Sequence, residues 1–264
     1  MIPDNLFKGR IAFVGEVPWH EIGPRVGSSV TAAEMIEAAR LSWKVILRPA
    51  PGARLVRGKS DIHDRYLVMR EPVDDETEDV ALGMVSNRYA PLQNIEAFSF
   101  FEPFISNGWA QFHTAGALGN GERVWVLAKL PGQIVVLPGD TIDRYLLLSN
   151  KHDGTGAISI RFTPIRVVCQ NTLNWAAEGG SSAISVRHSK NIGENLKKAQ
   201  AAELKQVIDK VFAEAEMLFG RMAARALHVG DIDSFLEVLF PRTKKQMKAD
   251  REPERWARVK GGAR

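Results

Sequence analysis

Two arginines stand in "RFTPIRVVCQNTL", residues 161 to 173, a run of branched apolar residues that contains the chain's single cysteine. Side chains of a half-buried strand alternate faces, which sets Arg161, Thr163 and Ile165 on one face and Phe162 and Pro164 on the other. Pro164 has no amide to give to a ladder, so the pattern predicts a bulge or an edge there. A one-residue bulge would bring Arg166 round to the face of Arg161. Two guanidiniums on a common face make an anion site; two unrelated surface ion pairs are the alternative use of the same residues. Lys151, His152 and Arg123 extend the polar, basic set, and Trp125 and Tyr145 supply π faces. A basic groove combined with stacking aromatics is how proteins hold single-stranded nucleic acid without reading its sequence. The plainer alternative places these aromatics in the core, the commoner fate of Trp on a strand.

Other residues with chemical capacity are weaker candidates. Cys169 at a strand-to-helix corner reads as a nucleophile if activated, and as a small core residue if not. "SNKHDGTG" places Lys151, His152 and Asp153 in a polar loop beside the arginine strand, where function often resides. Adjacent His and Asp side chains diverge, so this pair does not by itself make a metal site, and no metal or other cofactor is expected. His20, in "VPWHEIG", reads equally as a structural residue or a ligand. There is no Walker loop, dinucleotide fingerprint, paired-His helix or nucleophile elbow.

Composition sets the frame. With 264 residues, 45% hydrophobic and 25% charged, the chain has the make-up of an ordinary soluble globular protein. It has no run of about 18 apolar residues, and "MIPDNLFKGR" lacks the pattern of a signal peptide. The expectation is a cytoplasmic protein that does not associate with membranes, and the single cysteine excludes an internal disulfide framework. Charge is uneven: residues 1–150 carry 15 Lys/Arg against 18 Asp/Glu, and residues 151–264 carry 20 against 13. Residues 242–264 alone hold nine basic and three acidic side chains. Such a block attracts polyanions through counterion release, or is simply a solvated tail.

The elements that must position these residues follow from periodicity. Thr31 and Glu34 form a capping box at the head of a helix starting near Ala32. "WKVILRP" reads as a strand, "DRYLVMR" and "DVALGMVSNRY" as a hairpin around a solvated acidic tip, and "QNIEAFSFFEPFIS" as a helix capped by Asn94 and shortened at Pro103. From residue 109 the period is two. "WAQFHTAGAL" and "ERVWVLAKL" flank a Gly-Asn-Gly turn, then come "QIVVLPGD", "DRYLLLSN", "AISIRFTPIRVVC" and "AISVRHS", with Asn171 and Thr172 as the cap of a helix in between. Apolar residues at three- and four-residue spacing from Leu204 to Ala226 then predict a long helix, and "DIDSFLEVLF" a second. The expected fold is α+β: a central antiparallel sheet flanked by helices, with a long C-terminal amphipathic helix. The expected organisation is an α+β core over 1–190, a helical region over 191–241 and a basic tail over 242–264.

"PWHEIG", "SNRYAPLQNIEAFSFFEP", "AGALGNGERVWVLAKLP" and above all "YLLLSNKHDGTGAISIRFTPIRVVCQNTLNWA" resemble the phage- and plasmid-encoded domain-of-unknown-function family labelled phage/plasmid-like protein, of the nine-three-two type. The resemblance runs from about Trp19 to Ala177. It implies a mobile-element setting, hence replication, recombination or defence, and it transfers no activity. The order of hairpin, strands and long helix is also similar to that of RecT-type single-strand annealing proteins, a likeness at the level of fold.

The expectation is therefore a homo-oligomeric protein that binds single-stranded DNA, or another nucleic acid, and acts without chemistry. One rival is a metal-dependent hydrolase or nuclease using His152, Asp153 and Cys169. The other is a scaffold or inhibitory phage protein whose long helix meets a partner.

Overall fold

The computed structural model describes residues 5–50, 65–178, 183–200, 204–225, 231, 234 and 236. The chain divides into two compact units, Met1–Leu218 and Phe219–Arg264. The described part of the second unit is the end of one helix, the residues up to Arg225, and helical positions 231, 234 and 236. Everything below concerns the first unit.

Its larger sheet is built from seven strands: β1 (Leu6–Val14), β2 (Arg25–Val26), β6 (Gln111–Leu118), β7 (Arg123–Leu137), β8 (Asp140–Lys151), β9 (Ile158–Thr163) and β10 (Ala183–Val186). They lie in the order β10-β9-β8-β7-β6-β1-β2, antiparallel throughout except for the short β1–β2 pair. β3 (Val45–Pro49), β4 (Arg65–Arg70) and β5 (Val80–Ser86) form a separate antiparallel sheet. The helices are α1 (Ala32–Ala38), α2 (Asn94–Ser99), α3 (Glu102–Ser106), α4 (Gln170–Glu178), α5 (Ile192–Gln200) and α6 (Leu204–Ala223). The mixed fold with a large antiparallel sheet is the expected one.

Alternation along β7 and β8 sorts the core. Val124, Val126, Leu146 and Leu148 turn to the face covered by Phe98 and Phe101, whose rings meet Phe112 of β6 at 6.2 and 6.0 Å. Trp125, Leu127, Tyr145 and Leu147 turn to the other face, where they pack with Val167, Cys169, Leu173 and Ala176 from α4 and the segment before it. Gly116 lies directly across from Trp125, and a Cβ there would collide with the indole. A glycine is what lets the largest side chain of the sheet lie flat on its neighbour.

Several expectations change. The acidic tip between β4 and β5 is exposed at Asp75, Thr77 and Glu78, as expected, but two of its carboxylates are also paired: Asp74 with Arg10 at 2.5 Å and with Arg40, and Glu76 with Lys8 at 3.0 Å and with Arg70 at 2.7 Å. Arg70 is fully buried and also sits 4.8 Å from the Phe7 ring centroid, so the tip carboxylates neutralise a cation that the core has enclosed. Asn94 is not the cap of α2; Gln93 and Glu96 form the capping box, and Asn94 is buried one residue inside. Pro103 does divide the helical run, giving α2 and α3. "QIVVLPGD" is no separate strand but the far half of β7, joined through a register shift at Pro131–Gly132. Thr172 caps α4 from within its first turn, its hydroxyl accepting from the amides of Val168 and Cys169 at 3.0 Å each. A helix does start at Leu204 as α6, with α5 separate before it; residue 226, where the expected long helix ends, most of "DIDSFLEVLF" and the tail over 242–264 lie outside the described residues.

Candidate nucleic-acid interface

The register of β7 to β10 places polar residues in rows on the face that α4 partly covers. Arg123 of β7 stands directly across from Lys151 of β8. In the next row Trp125 faces Ser149, Ser149 faces Ser159 of β9, and Ser159 faces Ser185 of β10. In the row after that, Leu147 faces Arg161. Rows on one face are two residues, about 7 Å, apart. A line of three serines therefore crosses three strands, with basic residues on both sides.

The cations lean toward that line. Arg161 turns back along its own strand so that Nε donates to Ser159 Oγ at 2.9 Å. Arg123 approaches Ser149 Oγ through Nε at 3.5 Å and donates from Nη1 to Asn174 Oδ1 of α4 at 2.9 Å. Both guanidiniums thus count neutral oxygens among their partners, and neither is a free group. Lys151 is half-buried, its stem lying over Gly156, and its ammonium has no ion pair among the described residues. Arg123 and Lys151 thus place like charges directly opposite one another, an arrangement that destabilises an antiparallel pair unless an anion joins it. Elsewhere in the unit Lys8, Arg10, Arg40, Arg48, Arg70 and Lys129 meet carboxylates.

The structure brings together Arg123, Lys151 and Arg161 and sends the other expected residues elsewhere. β9 ends at Thr163, before Pro164, so there is no bulge to swing Arg166 alongside Arg161. Arg166 instead lies in the irregular segment before α4, donates to the backbone carbonyl of Glu16, and influences His20, His113 and Tyr145 at the other end of the sheet. Trp125 is fully buried and Tyr145 nearly so, with the Tyr145 hydroxyl donating to Asp143 at 3.2 Å. Neither aromatic offers a face to a base. His152 is fully buried on the opposite side of the sheet, hydrogen-bonded to Asn94 at 3.0 Å. Cys169 is a core residue, its sulfur 3.4 Å from Thr172 Oγ1. His20 is buried, with Nε2 3.1 Å from the Val168 carbonyl. Among the described residues no three His, Cys, Asp or Glu side chains converge as metal ligands.

Ionisation at the Arg166 end follows from burial. His113 is pushed down to about 4, first by loss of water and then by the nearby cations of Arg166 and Lys129. Burial and then the Asp143 charge raise Tyr145. Burial would raise Asp143 too, but hydrogen bonds from Lys129 and Gln133 outweigh it and hold the carboxyl low. His113 is neutral here and Lys129 is paired with Asp143, while Arg166 donates to the Glu16 carbonyl.

Sequence reading missed Ser149, Ser159 and Asn174, because short polar side chains on strands carry no motif. It also missed Trp175. Leu173 and Ala176 are the buried stripe of α4, which rotates Trp175 outward: it is 63% exposed, next in sequence to the Asn174 that holds Arg123. That signal was present in the helical spacing. Residues 81–261 match the family model described as Domain of unknown function (DUF932). No curated protein and no solved structure matches the chain.

Proposed function

We propose that this chain, which belongs to the DUF932 family, holds single-stranded nucleic acid at the β8–β10 end of its large sheet. The observation that carries the reading is the convergence of Arg123, Lys151 and Arg161 on the Ser149–Ser159–Ser185 row. In this reading a phosphate lies beside Ser159 and Ser185, the accessible end of the row since Ser149 is buried, taking hydrogen bonds from their hydroxyls and charge from the flanking cations. Trp175 replaces Trp125 and Tyr145 as the surface on which a base stacks. No bond is made or broken. Arg166 contributes nothing directly and is dropped from the interface.

Met217 and Leu218 expose 68% and 54% of their surface along α6, which gives a C-terminal amphipathic helix a face for self-association into a homo-oligomer. Such an oligomer would line up several serine rows along one strand, and annealing of complementary strands in a cytoplasmic, mobile-element setting is the outcome we favour.

The test is a titration of labelled thirty-nucleotide oligo(dT) by fluorescence anisotropy at two salt concentrations, with solution mass measured alongside. Three phosphate contacts predict a log–log salt slope of about −2, an affinity loss of roughly twentyfold between 50 and 200 mM salt. Arg161→Ala with Lys151→Ala lowers the slope to about −0.7. Unchanged affinity and slope in that double variant, or no binding by the intact chain, would overturn the reading.

A further inference from the structure

We propose that the outer edge of β7 from Gln133 to Leu137 is a self-pairing edge, on which a second copy of this chain lays the same segment antiparallel about a two-fold axis at Val135. It gives self-association a surface other than α6, and it does not depend on nucleic-acid binding.

β7 and β8 run past their neighbours as a two-stranded ribbon. β6 begins at Gln111, opposite Lys129, and β9 ends at Thr163, opposite Tyr145, while β7 continues to Leu137 and β8 returns from Asp140. From Gln133 to Leu137, β8 is the one strand beside β7 among the described residues, so the backbone groups on the outer side of β7 join no ladder there. Such groups are a template for another strand. The segment is bounded at both ends. Pro131, which has no N–H to give, lies in the register shift before Gln133; a second shift between Val135 and Leu137 closes the hairpin, and Pro138 follows. Val135 is the middle of what remains.

Side chains along the segment alternate. Ile134 is fully buried and Val136 half-buried, whereas Gln133 is exposed and Val135 and Leu137 each expose 50% of their surface. Pairing about Val135 keeps that alternation, because every residue meets one from its own face. Val135 meets the partner's Val135, and Gln133 meets the partner's Leu137. Charge selects this edge and this occupant. Residues 131–139 contain no Asp, Glu, Lys, Arg or His, so the segment does not repel itself. The other edge of the ribbon, residues 140–144 of β8, carries Asp140, Asp143 and Arg144, the kind of charge by which sheets protect an open edge. A charged peptide finds no counter-charge on 133–137, and a second copy needs none.

A cleft beside the edge has room for what this pairing brings. Gly108, Ala110 and Gln111 line one side of it and Leu130, Pro131 and Gly132 the other, around a volume of about 440 Å³. It lies where β6, carried back beyond Gln111, would continue alongside β7. In the antiparallel register set by Val135, the partner's Pro138 falls opposite Gly132 and the partner's Gly139 opposite Pro131. Each hairpin tip, an uncharged Pro-Gly turn, therefore enters the cleft of the other copy. The contact is isologous: each copy uses the same edge and the same cleft once, so the assembly closes at a dimer and does not propagate.

The test reads register as well as mass, on the full-length chain. Sedimentation equilibrium should show monomer converting to dimer through the micromolar range, as suits a small interface. Val135→Lys sets two ammonium groups opposite one another at the axis and should weaken the dimer by at least about tenfold. Under mild oxidation Val135→Cys should form a disulfide dimer, because directly opposed Cβ atoms lie about 4.5–5.5 Å apart. Leu137→Cys should not, since the two Leu137 positions are four residues, about 14 Å, apart along the junction. Cys169 is buried and stays out of the reaction. No nucleic acid is present in these measurements, so their failure is separate from a failure of strand binding. Absence of a dimer, equal crosslinking by Val135→Cys and Leu137→Cys, or an undiminished dimer in Val135→Lys would overturn the proposal; loss of that dimer in Leu218→Glu instead would move the contact to α6.

Discussion

Lys151→Met separates a binding residue from a structural one. Methionine keeps the stem that covers Gly156 and deletes only the charge that faces Arg123 across the β7–β8 ladder. Two like charges in water repel by about 0.7 kcal/mol at a separation of about 6 Å. This lies within the range of roughly 0.2–1 kcal/mol by which directly opposed cross-strand pairs shift a sheet. The variant should therefore be more stable than the parent by about 0.5 kcal/mol in urea denaturation at low salt, with the gain fading as salt screens the pair. Its affinity for oligo(dT) should fall, and its log–log salt slope should weaken by about 0.7, the share of a single neutralised phosphate. The denaturation midpoint and the anisotropy titration are read on the same preparation. A Lys151→Met protein that is destabilised, or that binds with the parent's salt slope, would show that Lys151 is a structural cation and refute the reasoning.

Three other perturbations test neighbouring parts of the account. Trp175→Ala should weaken single-strand binding by about 1–3 kcal/mol, the worth of one stacked base, and leave stability within about 0.5 kcal/mol because the side chain is 63% exposed. Glu76, held at about 2 mainly by its hydrogen bonds from Arg70, contributes stability that is complete above its ordinary value near 4.5 and is lost as pH falls toward 2. Glu76→Gln should remove up to about 3 kcal/mol at neutral pH and flatten acid unfolding in that window. His113 is neutral in the fold and titrates near 4, whereas the unfolded chain takes up its proton near 6.5. Stability should thus decline as pH drops from 6.5 to 4, and His113→Phe should reduce that slope by up to about 1.4 kcal/mol per pH unit in denaturation series.

Periodicity made the hairpins legible: β4–β5 and β6–β7 lie where the alternation placed them, and the split faces of Trp125 and Val124 follow from it. β1 was not legible. Its "LFKGRIAFV" carries Lys8 and Gly9 at positive φ inside the strand, so the register shifts and the period of two is broken. Its Arg10 is buried by ion pairing with Asp74, a partner 64 residues away. In the interface, Arg161 and Lys151 were readable as basic residues flanking a polar loop. Their convergence with Arg123 was not, because it depends on which strands are neighbours and in what register. Trp125 and Tyr145 were misplaced as stacking surfaces, since alternation shows that two residues share a face but not whether α4 covers it. The burial of His152 against Asn94, 58 positions away, is beyond reach of any local pattern.

The central claim is tested most directly by photocrosslinking. Oligo(dT) carrying 4-thiothymidine is bound to the full chain, irradiated, and the adducts located by peptide mass spectrometry. The account predicts adducts in the peptides of β8, β9 and α4, with Trp175 the foremost site and a lower yield in Lys151→Met. Adducts confined to residues 242–264, with none on the sheet or α4, would contradict it and assign binding to the basic tail.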